Sequence, residues 1–255
     1  MPKRKLILAI DDNAINRIFV ESALKDIPAE VVICESGEAA VDAASQRDYD
    51  LLLIDIRMPG IDGYETLKRI KELPNKSHRA IAIALTAEPE EFQGNRLNQS
   101  TFNTFLTKPI SKINLVDHVC QSLDICQKDS SETVKSNTMS TTLTAIDIEK
   151  ALLVSGGNKT LVANLLTMLK KEVPTRIMAI EELISSHQFS EADNEIHTFL
   201  GSLAYCGVRK LPETLIVLQS AMRDKDSTEL LRLAIKDAEE LQEAITHVIP
   251  NLKEI

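Results

Sequence analysis

The sequence predicts an α/β domain, built on a five-stranded doubly wound parallel sheet, followed by an all-α helical bundle. Three observations carry this. Short apolar runs alternate strictly with amphipathic stretches through the first half. In the second half strand-like alternation is absent and apolar residues recur at helical spacing. A polar stretch separates the two, and 255 residues at 44% hydrophobic content suffice to bury a core in each.

The strands are predicted over 6–10, 31–34, 51–54, 80–84 and 104–106, with helices over 13–25, 37–46, 64–73, 88–97 and 112–123 filling the gaps. Right-handed crossovers then bring every strand's carboxyl end to one edge. The third strand is the most informative. Leu51-Leu52-Leu53-Ile54 reads as a strand buried on both faces, and it stops at Asp55 before a Pro59-Gly60 turn. Reacting groups in such sheets sit beyond the strands' carboxyl ends, so Asp55 is the first candidate for chemistry. Residues 127–142 are rich in Gln, Lys, Asp, Ser, Glu, Thr and Asn, with Val134 and Met139 the apolar exceptions. This is the composition of a linker. As a flexible coil it would set its ends about 20–25 Å apart, so the flanking domains, 1–126 and 143–255, can touch. Beyond it, helices are expected near 147–154, 159–186, 189–206, 211–222 and 227–247. Pro174 should kink or divide the second of these, and Ser155-Gly156-Gly157-Asn158 reads as a helix stop and a new N-cap.

The net charge of -9 argues against a nucleic-acid surface and favours protein partners or small ions. Cys34, Cys120, Cys126 and Cys206 have no metal-finger spacing and read as reduced thiols of a cytoplasmic protein. A basic cluster precedes the first apolar run, but Asp11-Asp12 ends that run too early for a signal peptide or membrane span. The Met just before it favours a free-standing chain. The sequence contains no helix-turn-helix signature and no Gly-rich ATP-binding motif of a kinase.

Asp11 and Asp12 follow the first strand and Asp55 ends the third, so three acids converge. They repel one another unless a cation neutralises them, and Mg²⁺ suits, because it takes one or two carboxylates, a carbonyl and waters and leaves room for a phosphoryl group. Thr86 ends the fourth strand and Lys108 follows the fifth, in Phe105-Leu106-Thr107-Lys108-Pro109. With Asp55 as nucleophile, the metal and Lys108 would neutralise phosphoryl oxygens and Thr86 would donate to one of them.

The acid pair, Asp55-Ile56-Arg57-Met58-Pro59, Thr86 and Lys108-Pro109, in that order, resemble the receiver domain of response regulators over the first half of the chain. The resemblance implies a flavodoxin-like (βα)5 fold. It makes Asp55 the phosphoacceptor and Asp11, Asp12, Asp55 and the Arg57 carbonyl the Mg²⁺ ligands. Thr86 and Lys108 become the phosphoryl contacts, with Thr86 and Phe105 as switch residues. The haloacid-dehalogenase-type phosphatases also use a strand-end Asp with Mg²⁺, but their D-x-D-x-T pattern is broken here by Arg57.

His78, His118, His187 and His247 have no companion motif and read as surface or helix-end residues. His197 lies on the flank of a helix whose buried face is Ala192, Ile196, Phe199, Leu203 and Cys206, and is expected to be exposed on a low strip with Gly201 and Ala204. A mid-helix Gly costs about 1 kcal/mol relative to Ala, so Gly201 suggests that something approaches the backbone closely. His197-Thr198-Phe199-Leu200-Gly201-Ser202, with Gly207 further on, resembles the histidine phosphotransfer (HPt) domain, and the whole is similar to the C-terminal part of BarA-type hybrid sensor kinases. The lysine usual after the histidine is Leu200 here. The resemblance implies a two-component phosphorelay protein. Asp55 would take a phosphoryl group from the phosphohistidine of a sensor histidine kinase or HPt domain, and His197 would exchange one with a receiver, including that of another response regulator. The alternative is a phosphorylation-regulated protein-binding module in which His197 transfers nothing.

Overall fold

A computed structural model describes residues 4–87, 102–125, 145–223 and 227–253. The predicted helix 88–97 and linker 127–142 lie outside the described residues. Strands β1 (Lys5–Ile10), β2 (Ala29–Cys34), β3 (Leu51–Asp55), β4 (Ile81–Thr86) and β5 (Thr104–Thr107) form a parallel sheet in the order β2-β1-β3-β4-β5. Between them run α1 (Ala14–Leu24), α2 (Gly37–Gln46) and α3 (Gly63–Lys71), and α4 (Lys112–Leu123) follows β5. The order reverses between β1 and β3, which pair from Ile7 with Leu51 to Ile10 with Ile54. A crevice opens where a parallel sheet reverses its order, and this one therefore lies between Asp11-Asp12 and Asp55.

The helices start where short polar side chains take up orphan amides: Asn13 for α1, Ser36 for α2, Asp62 for α3 and Ser111 for α4. Alternate strand residues face opposite sides. Leu8, Ile10, Leu52 and Ile54 pack on α2 and α3, with Leu67 and Ile70, in one core. Ile7, Ala9, Leu51, Leu53, Ile83 and Leu85 face α1 and α4 in a second core.

That second core does not stop at the sheet domain. It continues through α1 into the helical half, formed by α5 (Ile148–Val154), α6 (Lys159–Ser185), α7 (Phe189–Tyr205), α8 (Lys210–Ala221) and α9 (Ser227–Lys253). α6 and α9, 27 residues each and about 40 Å long, pack together, and α7 and α8 lie beside them. α1 packs against both α6 and α7. Contrary to one of the two expectations for it, Pro174 does not divide α6: Leu169, Val173, Ile177 and Ile180 are buried on both sides of it, and that packing outweighs one missing backbone bond. Gly207 closes α7 with φ +68, and a Cβ there would stand 2.3 Å from the Asp147 carbonyl oxygen. The bare backbone lets Asp147 N donate to Gly207 O, and the start of the helical half is pinned by an Ile146–Val208 bridge.

One chemical expectation is corrected. Cys34 and Cys206 are free thiols, but Cys120 is in a disulfide. The chain reverses after α4 at Asp124, in the left-handed region, so that Ile125 N donates to Cys120 O. Apolar patterning along α4 carries no trace of that reversal. Among the described residues no helix is long and apolar enough to cross a membrane.

Candidate functional site

Asp11, Asp55 and Thr86 are buried at the carboxyl ends of β1, β3 and β4, with Asp12 half-buried beside them. One carboxylate oxygen from each of Asp11, Asp12 and Asp55 lies within 4.8 Å of the others. Local bonds fix this turn: Asn13 N donates to Asp11 Oδ1 at 2.9 Å, Asn16 Nδ2 donates to both Asp11 oxygens at 3.1 Å, and Arg17 donates to the carbonyls of Asp11 and Asp12 at 3.0 and 2.7 Å.

Lys108 closes the pocket. Its ammonium donates to Asp11 Oδ2 and Asp55 Oδ2, each at 2.7 Å, and the three side chains are almost entirely buried. It is brought there by β5, which ends at Thr107, and the Lys108–Pro109 peptide is cis. Burial pushes Asp55 up to about 7, against the Lys108 charge and with Asp11 and Asp12 adding to the rise. Burial works against the Lys108 ammonium too, but the Asp11 and Asp55 carboxylates outweigh it and hold the lysine protonated well above its ordinary range. Asp12 is raised by burial and by Asp11, opposed by Lys108 and a hydrogen bond from Thr198. Three clustered oxygen ligands with one ammonium between two of them still leave net negative charge, and this donor set suits a hard divalent cation. Phe105 is half-buried, its ring 5.9 Å from Phe102.

The helical half meets this pocket through α7. Thr198 Oγ1 lies 3.3 Å from Asp12 Oδ2, and Asp193, one turn before His197, lies 3.8 Å from the Arg57 guanidinium. His197 stands between these two contacts. It is half-buried rather than exposed, on a helix that α1 packs against and whose Asp193 faces Arg57. Gly201 is where the close approach occurs: a Cβ there would lie 3.3 Å from Asn16 Nδ2 and 3.7 Å from Asn13 Nδ2. Ala204 follows on the same helix, half-buried. Beyond it Tyr205 is buried, its ring 4.4 Å from Phe19 of α1 and its hydroxyl accepting from Ile110 N at 3.4 Å.

Sequence reasoning brought Asp11, Asp12, Asp55, Thr86 and Lys108 to one edge, and that is where they lie. It did not single out Asn13, Thr198, Ser202 or Tyr205 as contacts between the halves. In the structure Asn13 also caps α1 and Tyr205 also fills the core.

Residues 7–120 match the response regulator receiver domain and residues 164–250 the Hpt domain. Sensor protein GacS of Pseudomonas syringae pv. syringae is 31% identical over 209 residues, 80% of this chain and 23% of that protein. Signal transduction histidine-protein kinase BarA of Escherichia coli (strain K12) is 27% identical over 226 residues, 88% of this chain and 24% of that protein. The chain thus spans about a quarter of the length of these curated relatives. Among solved structures, the receiver domain of sensor histidine kinase PA1611 from Pseudomonas aeruginosa PAO1, with a magnesium ion in its active site cleft, is 31% identical. It covers 48% of this chain and 98% of its own, with a TM-score of 0.43.

Proposed function

The chain belongs to the response regulator receiver family over residues 7–120 and carries an Hpt domain over 164–250, a pairing that acts in two-component phosphorelay, and on that premise we propose that Asp55 and His197 are its phosphoryl carriers. A carboxylate oxygen of Asp55 attacks the phosphorus of a donor phosphohistidine, an O–P bond forms as the N–P bond breaks, and the imidazole leaves with the electron pair and regains a proton. Lys108 shifts from the Asp55 carboxylate to the phosphoryl oxygens as their charge moves in, and Thr86 donates to one of them. Asp11, Asp12, Asp55 and the Arg57 carbonyl would hold Mg²⁺. When bound, that ion offsets the negative charge of acids and phosphoryl group. Thr86 and Phe105 then serve as the switch, the half-buried ring turning further inward as Thr86 is drawn toward the phosphoryl group. Donors are a sensor histidine kinase or another HPt domain, and acceptors include other response regulators.

The observation that carries this reading is the seat of α7 on the acid pocket, with Thr198 on Asp12 and Arg57 on Asp193 to either side of His197. It supports exchange between Asp55 and His197 within one chain. The second reading, a binding module with a silent His197, is favoured by Leu200, which packs partly buried against the shared core and brings no cation to the histidine. The two separate on one experiment. With acetyl phosphate and Mg²⁺ the intact chain should gain an acid-labile phosphohistidine as well as an aspartyl phosphate. Asp55→Asn should lose both and His197→Gln the phosphohistidine alone. Aspartyl phosphate with no phosphohistidine, even in Leu200→Lys, would leave the binding module. Label that survives in Asp55→Asn would end both readings.

A further inference from the structure

Asn13 follows the acid pair and starts α1, and every hydrogen-bonding atom of its side chain is used. Its Oδ1 accepts from Ile15 N at 2.9 Å and Asn16 N at 3.3 Å, which caps the helix. Its Nδ2 crosses to α7, donating to the Thr198 carbonyl at 2.8 Å and to Ser202 Oγ at 2.6 Å. Behind it the chain of bonds continues. Ser202 Oγ donates to the Glu172 carboxylate at 3.1–3.2 Å, and Arg176 ties Glu172 to Glu195 at 2.8 Å on each side. Asn13 and Ser202 are both buried. The missing side chain at Gly201 exposes the α7 backbone at the place where the amide must enter.

Few side chains meet these demands. The position needs an acceptor for two α1 amides and two donors for α7, in one short planar group, and asparagine supplies both. Aspartate would cap as well but has no donor, and its charge would face the Thr198 carbonyl with Glu172 behind Ser202. Serine or threonine offers a single donor. A receiver with any of these here would lose at least one of the two bonds that Asn13 makes across the buried interface, to Thr198 O or to Ser202 Oγ, and a lost buried bond is what separates one partner from another.

We infer that Asn13 is the specificity-determining residue by which the His197 helix selects this chain's own receiver over others, reading it through the Thr198 carbonyl, Ser202 and Glu172. Asn16 couples this selection to the acid pocket, since its amide lies against Gly201 and donates to Asp11. The inference rests on the exchange between Asp55 and His197 proposed above.

The decisive variant is Asn13→Asp, which keeps the helix cap and removes both donors. In the full chain with acetyl phosphate and Mg²⁺, the rate of His197 labelling per mole of aspartyl phosphate should fall about tenfold, as expected for losing buried hydrogen bonds and adding a like charge. Asn13→Asp combined with Glu172→Gln should regain at least about threefold, a rescue that a merely structural defect would not give. An excess of a separate receiver lacking Asn at the equivalent position should compete poorly with the native chain and better with Asn13→Asp. Hydrogen exchange at residues 198–202 of the unphosphorylated chain gives a readout free of phosphotransfer, and Asn13→Asp should speed it. Native labelling, competition and exchange in Asn13→Asp would overturn the inference. If Asp55 takes no phosphoryl group in the native chain, the functional reading fails instead, and the exchange experiment alone decides whether Asn13 locks α7.

Discussion

At the scale of single residues, the Asp11–Lys108–Asp55 contact dominates the pocket. Removing one partner of a buried pair leaves the other charge uncompensated, so Lys108→Met in metal-free buffer should cost about 3–5 kcal/mol of stability. Mg²⁺ should then raise the thermal midpoint more in the variant than in the native chain, because three acids without their ammonium have more to gain from a cation. Equal Mg²⁺ responses in a thermal melt would contradict this. The raised Asp55 sets a pH dependence. With its proton held up to about 7 in the folded chain, against an ordinary value near 3.8, proton and metal compete below about 7. Mg²⁺ titrations should give tighter binding at pH 8 than at pH 6. These residues were legible because each one breaks an apolar run at a strand's carboxyl end, a local signal that survives without the fold. Asn13 and Ser202 were not, since they meet across 189 positions of sequence and only after two bodies dock. Gly201 lay between: its cost inside a helix hinted at a close neighbour without naming Asn16.

Among the elements, α7 and α1 decide how the halves fit, and Tyr205 against Phe19 is the largest buried piece of that contact. Tyr205→Ala should cost about 3–5 kcal/mol as an aromatic deletion, and Tyr205→Phe far less, because its hydroxyl accepts one long bond. Burial pushes the Tyr205 phenol up to about 12 from an ordinary 10. The docked state therefore keeps a proton that the separated state releases, so docking is fully supported below pH 10 and weakens as pH climbs from 10 toward 12. The chain has three tyrosines and no tryptophan, so tyrosinate absorbance can follow this, and Tyr205→Phe should remove the late component. Helix and strand order were readable because periodicity is a property of each segment alone. Two details escaped because they depend on neighbours: α6 runs undivided through Pro174, and Cys120 is in a disulfide.

In the whole molecule, one apolar core runs from the sheet through α1 into the bundle, although composition alone divides the chain into two units. A shared core predicts that sheet and bundle unfold together. Calorimetry should show one transition in the native chain and two in Tyr205→Ala, and two transitions in the native chain would mean the halves are energetically separate. The same seat of α7 on its own receiver has a kinetic meaning. Where donor and acceptor travel in one chain, their encounter has no dependence on how many chains are present, so passage between Asp55 and His197 should be first order, with the same half-time across a hundredfold dilution. Passage to a separate receiver should slow in proportion to dilution. At low abundance the chain would therefore equilibrate internally long before it found a partner, and the abundance of that partner would set the tempo of whatever signal leaves it.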